Sequence, residues 1–253
     1  MVNLELVDYL QGTFSFIFVL ISLYIGLRIF SAYFKQKNKL FIFVGITWIG
    51  MALPWVPDSV SLWMAILLSQ TISIELYIFI GNAFIFPTLV CWMYACTQLI
   101  FRERKQLIMV LTIIICFLLE VIFLTIFFID VSFLGNVNPI RPFTAEFSLL
   151  LSIILVLVIF TILYTGLRLA QASLKAEDED VKLKGKLLRA AFISFTIGAL
   201  FDASLGMIFE DPTNPLLSIL VIVIRILLIF SALEFYGGFI LPGWMKKLLK
   251  KKS

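Results

Sequence analysis

Residues 60 to 101 read Val60-SLWMAILLSQTISIELYIFIGNAFIFPTLVCWMYACTQLI-Phe101, an apolar run of 42 residues whose only charge is Glu75. A helix needs about 20 mostly apolar residues to cross the hydrocarbon layer, so this run suffices for one crossing or for two. The choice fixes the topology of the whole chain, and charge decides it. With one crossing the chain has seven predicted spans, near Leu10–Phe34, Leu40–Val56, Thr71–Phe101, Leu107–Ile129, Phe147–Leu169, Leu187–Phe209 and Pro215–Leu241. Eighteen of the 20 Lys and Arg then share one face, from Arg28 and Lys35–Lys39 through Arg102–Lys105 and Lys175–Lys186 to Lys246–Lys252. Arg141 alone lands opposite, and Arg225 lies inside the last span. A second crossing would divide the basic loops between the two faces, against the positive-inside bias. The reading is therefore a short helix over Ser59–Gln70 in the outer leaflet, then a long third span kinked near Pro87. The N-terminus is expected outside and the C-terminus in the cytoplasm, in a multi-pass protein of the cell membrane.

Composition agrees with this class. Of 253 residues 62% are hydrophobic and 14% charged, and mean hydropathy is +1.08. Soluble domains average about 45–50% apolar and about 25% charged, so this chain has too few polar residues to cover a water-facing surface. A net charge of +4, dispersed among loops, gives no basic face for nucleic acid. Glu5 and Asp8 precede the first apolar stretch where a signal peptide would carry a basic segment, so that stretch reads as a retained anchor. The short loops imply one all-α domain over residues 1–253. Its basic tail, 243–253, faces an anionic leaflet in the lipid bilayer.

Ionisable groups at membrane depth are expensive, and several are kept. Arg225 lies ten residues into the seventh span, roughly 15 Å deep at about 1.5 Å per residue. Glu120 lies in the fourth span, Asp202 in the sixth, and Glu75 with Asn82 on one face of the third. Thr112, Cys116 and Glu120 form one stripe. Ser194, Gly198, Asp202 and Gly206 form another, with small residues that admit a close neighbour. The expectation is a polar cluster of Glu75, Asn82, Glu120, Asp202 and Arg225 in the outer half of the bundle. One arginine cannot neutralise three carboxylates, so the cluster would hold a proton, water, a cation or a cationic ligand. The alternative is a plain ion pair of Arg225 with Glu120 or Asp202. Nearer the cytoplasm the expectation is either a second pair, Arg28 with Glu234, or a snorkelling Arg28 with no partner.

The sequence also removes chemistry. There is no histidine, and Cys91, Cys96 and Cys116 show no C-x-x-C spacing, so metal, cofactor and redox sites are not expected. No lysine lies within a span, which excludes a retinal Schiff base, and no phosphate-binding loop or protease motif appears. No catalytic residues are assigned and no enzyme is expected. The helix count, Pro54 and Pro57 closing the second span, Pro87 in the third and the ending Phe235-Tyr-Gly-Gly-Phe-Ile-Leu-Pro-Gly-Trp244 carry a resemblance. The chain resembles the seven-helix membrane modules that precede signalling domains in prokaryotic sensor histidine kinases, and free-standing archaeal proteins of similar layout. The resemblance implies a sensor or receptor that signals through a separate cytoplasmic partner. The competing readings are a proton- or cation-coupled transporter and a structural subunit of a membrane complex.

Overall fold

The structure is a computed structural model that describes residues 4–139, 141, 143–209, 211 and 213–250. Residues 140, 142, 210 and 212 of the predicted connections, and 251–253 of the basic tail, lie outside them. Helix α1 (Leu6–Gln36) opens with a capping box, in which the Glu5 N–H donates to the Asp8 carboxylate at 3.0 Å. Helix α2 (Leu40–Ala52) passes through a 3₁₀ turn at Leu53–Trp55 into α3 (Val56–Leu68), and the two make one apolar span of 29 residues. Pro54 and Pro57 do not end this span. Each falls at the first positions of a new helical segment, where a proline's missing N–H is no loss.

The predicted separate helix over Ser59–Gln70 is therefore corrected. Those residues form most of α3, the far half of the second span, and end at Ser69 in a left-handed conformation with φ of 55°. The α2–α3 rod follows α1 along its length: Gly26 sits on Gly45, and a Cβ at Gly12 would come within 2.6 Å of Leu62. Small residues at these crossings let the backbones close up.

The third span consists of α4 (Ile74–Asn82) and α5 (Ile85–Leu99), broken at Ala83–Phe84. Pro87 explains the break, because its ring collides with the carbonyl four residues earlier, that of Ala83. Four long helices follow: α6 (Lys105–Ile129), α7 (Leu149–Leu174), α8 (Glu179–Ile208) and α9 (Pro215–Ile240). The last element is the short α10 (Gly243–Lys250). Between α6 and α7 lies one departure from the all-α expectation. Strands β1 (Gly135–Val137) and β2 (Ala145–Phe147) form an antiparallel hairpin with Asn136 opposite Glu146.

Seven helical spans among the described residues are long and apolar enough to cross a membrane, as a multi-pass membrane bundle requires. Six of them close a ring, in which α9 packs between α8 and α1, α1 on α2, α2 on α5, α5 on α7 and α7 on α8. Helix α6 stands outside the ring and packs chiefly on α5, with only Cys116 and Phe123 buried. Alternation of the spans collects the basic connections at one end of the bundle, called here the basic end. The hairpin and the start of α1 mark the other, N-terminal end. Within the ring, Trp48 stacks on Phe235 at 4.2 Å between centroids, and Phe192, Phe195 and Trp92 fill the space around them.

Candidate functional site

Above that aromatic core, Arg225 has a fully buried side chain and touches three other helices. Its Nη1 lies 2.6 Å from Oδ1 of Asp202 on α8, and its Nη2 donates to Oδ2 of Asp58 on α3 at 3.2 Å. Its Nε donates to the Ser15 hydroxyl of α1 at 3.1 Å. The guanidinium fork thus uses three of its nitrogens on three helices, a geometry that a lysine's point charge cannot reproduce.

Each carboxylate has its own supports. Asp58, 4% exposed, accepts from the Tyr77 hydroxyl at 2.6 Å and from Nε2 of Gln11 at 2.9 Å. The Ser15 hydroxyl completes its surroundings at 3.4 Å. Every group around Asp58 is a donor, so the site is complementary to the carboxylate. Asp202 accepts from the indole N–H of Trp55 at 2.8 Å, and its side chain is 20% exposed. Arg225 therefore serves two acids, one sealed and one open at the surface.

The network continues toward the N-terminal end. Arg141, between the two strands, donates through Nε and Nη2 to Oδ1 of Asp8 at 2.9 and 2.6 Å. Its Nη2 also donates to Oε1 of Gln11 at 2.9 Å. The Gln11 amide therefore links the Arg141–Asp8 pair to Asp58. The hairpin segment seals this end, with Phe143 buried against Gly12 and Phe147 packed edge-on to Tyr77. Local sequence explains the arrangement on α1, where Asp8, Gly12, Ser15 and Ser22 recur at helical spacing along the buried face.

Of the five residues expected in the cluster, the structure brings together Asp202 and Arg225. Glu75 is exposed in the first turn of α4, where an acid suits the helix dipole, and it makes no ion pair among the described residues. Tyr77, two residues on and so on nearly the opposite face, takes the inward position. Asn82 is buried but bonds within its own helix, its Nδ2 donating to the Ile78 carbonyl at 3.0 Å. Glu120 is carried away from the network by α6. It lies one turn beyond buried Cys116, with Oε2 buried and unpartnered among the described residues. The Arg28–Glu234 pair does not form. Arg28 is exposed beside the Tyr24 ring, its guanidinium carbon 6.0 Å from the centroid.

Asp58, Tyr77, Ser15, Gln11, Trp55, Asp8 and Arg141 are the members that sequence reasoning missed. A signal for Asp58 was present, since it is the only charge between Leu40 and Leu68. Its position after Pro57 gave it the appearance of a turn residue. Comparison with protein families, with curated proteins and with solved structures gives no match. The site must be read from its own geometry.

Proposed function

We propose that this chain is a multi-pass cell-membrane protein of the sensor or receptor type, with its N-terminus outside. The Arg225 network is then its state-dependent element. One observation carries the reading: a sealed arginine shared between two acids on different helices, one of them open at the surface. Asp8 is matched by Arg141, whereas Asp58 and Asp202 together have one cation. The surplus negative charge falls to Asp202, the more exposed of the two. A small cationic group arriving there from outside weakens the Asp202–Arg225 contact that joins α8 to α9.

At the basic end α8 is tied instead to α10, the short helix that follows α9, where Lys246 pairs with Asp180 at the start of α8. A shift of α8 against α9 at one end thus has a matching contact at the other, where a separate cytoplasmic partner could read it. The aromatic layer of Trp48, Phe195 and Phe235 below Arg225 favours sensing over transport, because the polar chain stops there instead of crossing the bundle.

Trp55 supplies the assay, since its indole donates directly to Asp202. In lipid nanodiscs, adding guanidinium or sodium should change tryptophan emission in the wild type. Asp202→Asn should abolish the change while Trp63→Phe leaves it intact. A response that survives unchanged in Asp202→Asn refutes the assignment.

A further inference from the structure

A second site lies at the basic end, apart from the Arg225 network. A cavity of about 470 Å³ opens between the α1–α2 and α5–α6 connections. Its walls bring together Lys39 from the first connection and Arg102 and Lys105 from the second, with no Asp or Glu among its lining residues. None of the three cations pairs with a carboxylate among the described residues. Three like charges converging on one concavity repel one another unless an anion joins them.

The remaining walls suit the same guest. Arg102 is oriented by its Nε, which donates to the Gln98 carbonyl at 2.9 Å and leaves both terminal nitrogens uncommitted. Nε2 of Gln98 is buried and unpartnered among the described residues, a donor without an acceptor. Tyr94 is held as a rigid wall by Phe43, 4.0 Å away between centroids, and the Lys105 ammonium sits 5.8 Å from its ring. The first N–H groups of α2 are already satisfied by Asn38, whose Oδ1 accepts from Leu40 at 3.0 Å and whose carbonyl accepts from Phe41 at 3.2 Å. The binding groups are therefore side chains: two ammoniums, one guanidinium and one amide, brought together from two connections. A tetrahedral phosphate offers these donors more oxygens, in more directions, than a planar carboxylate does.

We propose that this cavity binds a phosphate group at the membrane–water boundary. The phosphate comes from an anionic phospholipid headgroup or from a soluble phosphate compound, and the experiment separates the two sources. The full chain is prepared in neutral detergent and in phosphatidylcholine nanodiscs. Phosphatidylglycerol is titrated in one arm, inorganic phosphate and glycerol 3-phosphate in the other. Binding is read by native mass spectrometry and thermal shift at low and physiological salt.

Arg102→Gln/Lys105→Gln should weaken binding at least about tenfold, and Gln98→Leu, which keeps the charge, should weaken it less. Lys175→Gln, at the same end but outside the cavity, should leave it unchanged. Retained phosphatidylglycerol with no response to the soluble anions assigns the headgroup, and the converse assigns a soluble ligand. If no arm shows binding, or if Lys175→Gln weakens it as much as the double variant, the proposal fails.

Discussion

Replacing Asp58 with Asn tests whether the sealed acid, and not the open one, holds the bundle together. At 3.2 Å from Nη2 of Arg225, the pair's Coulomb attraction is about 5 kcal/mol at an effective dielectric of about 20. Burial of both charges offsets much of that, and Asp202 still pairs with Arg225 once Asp58 is neutral, so the loss is that of the charge-assisted bonds from Gln11 and Arg225, about 1.5–3 kcal/mol each. The asparagine amide would also turn an N–H toward Gln11 or Arg225, both donors, while its oxygen keeps Tyr77. Asp58→Asn should therefore cost about 3–5 kcal/mol. Asp202→Asn should cost only about 1–2 kcal/mol, because this side chain is 20% exposed and the new amide oxygen still accepts from Trp55. Arg225→Met orphans both acids and should cost at least as much as Asp58→Asn. Adding Asp58→Asn and Asp202→Asn to it should recover more than half the loss, since an uncharged core no longer carries unpaired carboxylates. The assay is far-UV circular dichroism during SDS titration from mixed micelles, for the single variants and the triple. If Asp202→Asn proves as damaging as Asp58→Asn, or if the triple variant is no more stable than Arg225→Met, the assigned roles are wrong.

Three further outcomes follow from other contacts. Gly26→Ala places a methyl within 2.9 Å of the Gly45 carbonyl and into Ile49, so it should lower stability by about 1–3 kcal/mol in the same titration. Arg141→Gln removes the bond from the strand connection to Asp8 and Gln11. It should raise amide hydrogen exchange in Gly135–Val137 and Ala145–Phe147 while sparing α7. Uncoupling Lys246 from Asp180 by Lys246→Gln should cost no more than about 1 kcal/mol and vanish in high salt. The two side chains are 40% and 36% exposed, where ion pairs are weak.

Some of this was legible in residue order alone. Span number and the gathering of basic connections at one end depend on local hydropathy and on charge counts, neither of which needs a partner. The kink ahead of Pro87 follows from one ring colliding with one carbonyl. Two members of the α8 stripe also read correctly as contact positions: Gly198 sits against Leu228 of α9, and Asp202 meets Arg225. Arg225 and Asp202 declared themselves because each is a charge in a span with a small-residue or apolar setting.

What residue order could not supply was the rotation and placement of each helix relative to the others. Helical periodicity tells which residues share a face, but not which neighbour that face meets. Glu75 and Tyr77 illustrate this, since α4 can turn only one of them inward, and the uncharged phenol is cheaper to bury than a second acid beside Asp58. Glu120 lay on a coherent stripe, yet α6 packs outside the ring, so the stripe meets α5 instead of the arginine. Asp58 was hidden by two prolines that look like a turn and in fact begin helical segments. Apolarity decided that this chain forms seven spans; only their packing decided which acids Arg225 would meet, because a buried charge is matched across space by whatever donors and acceptors the neighbouring helices bring within about 3 Å.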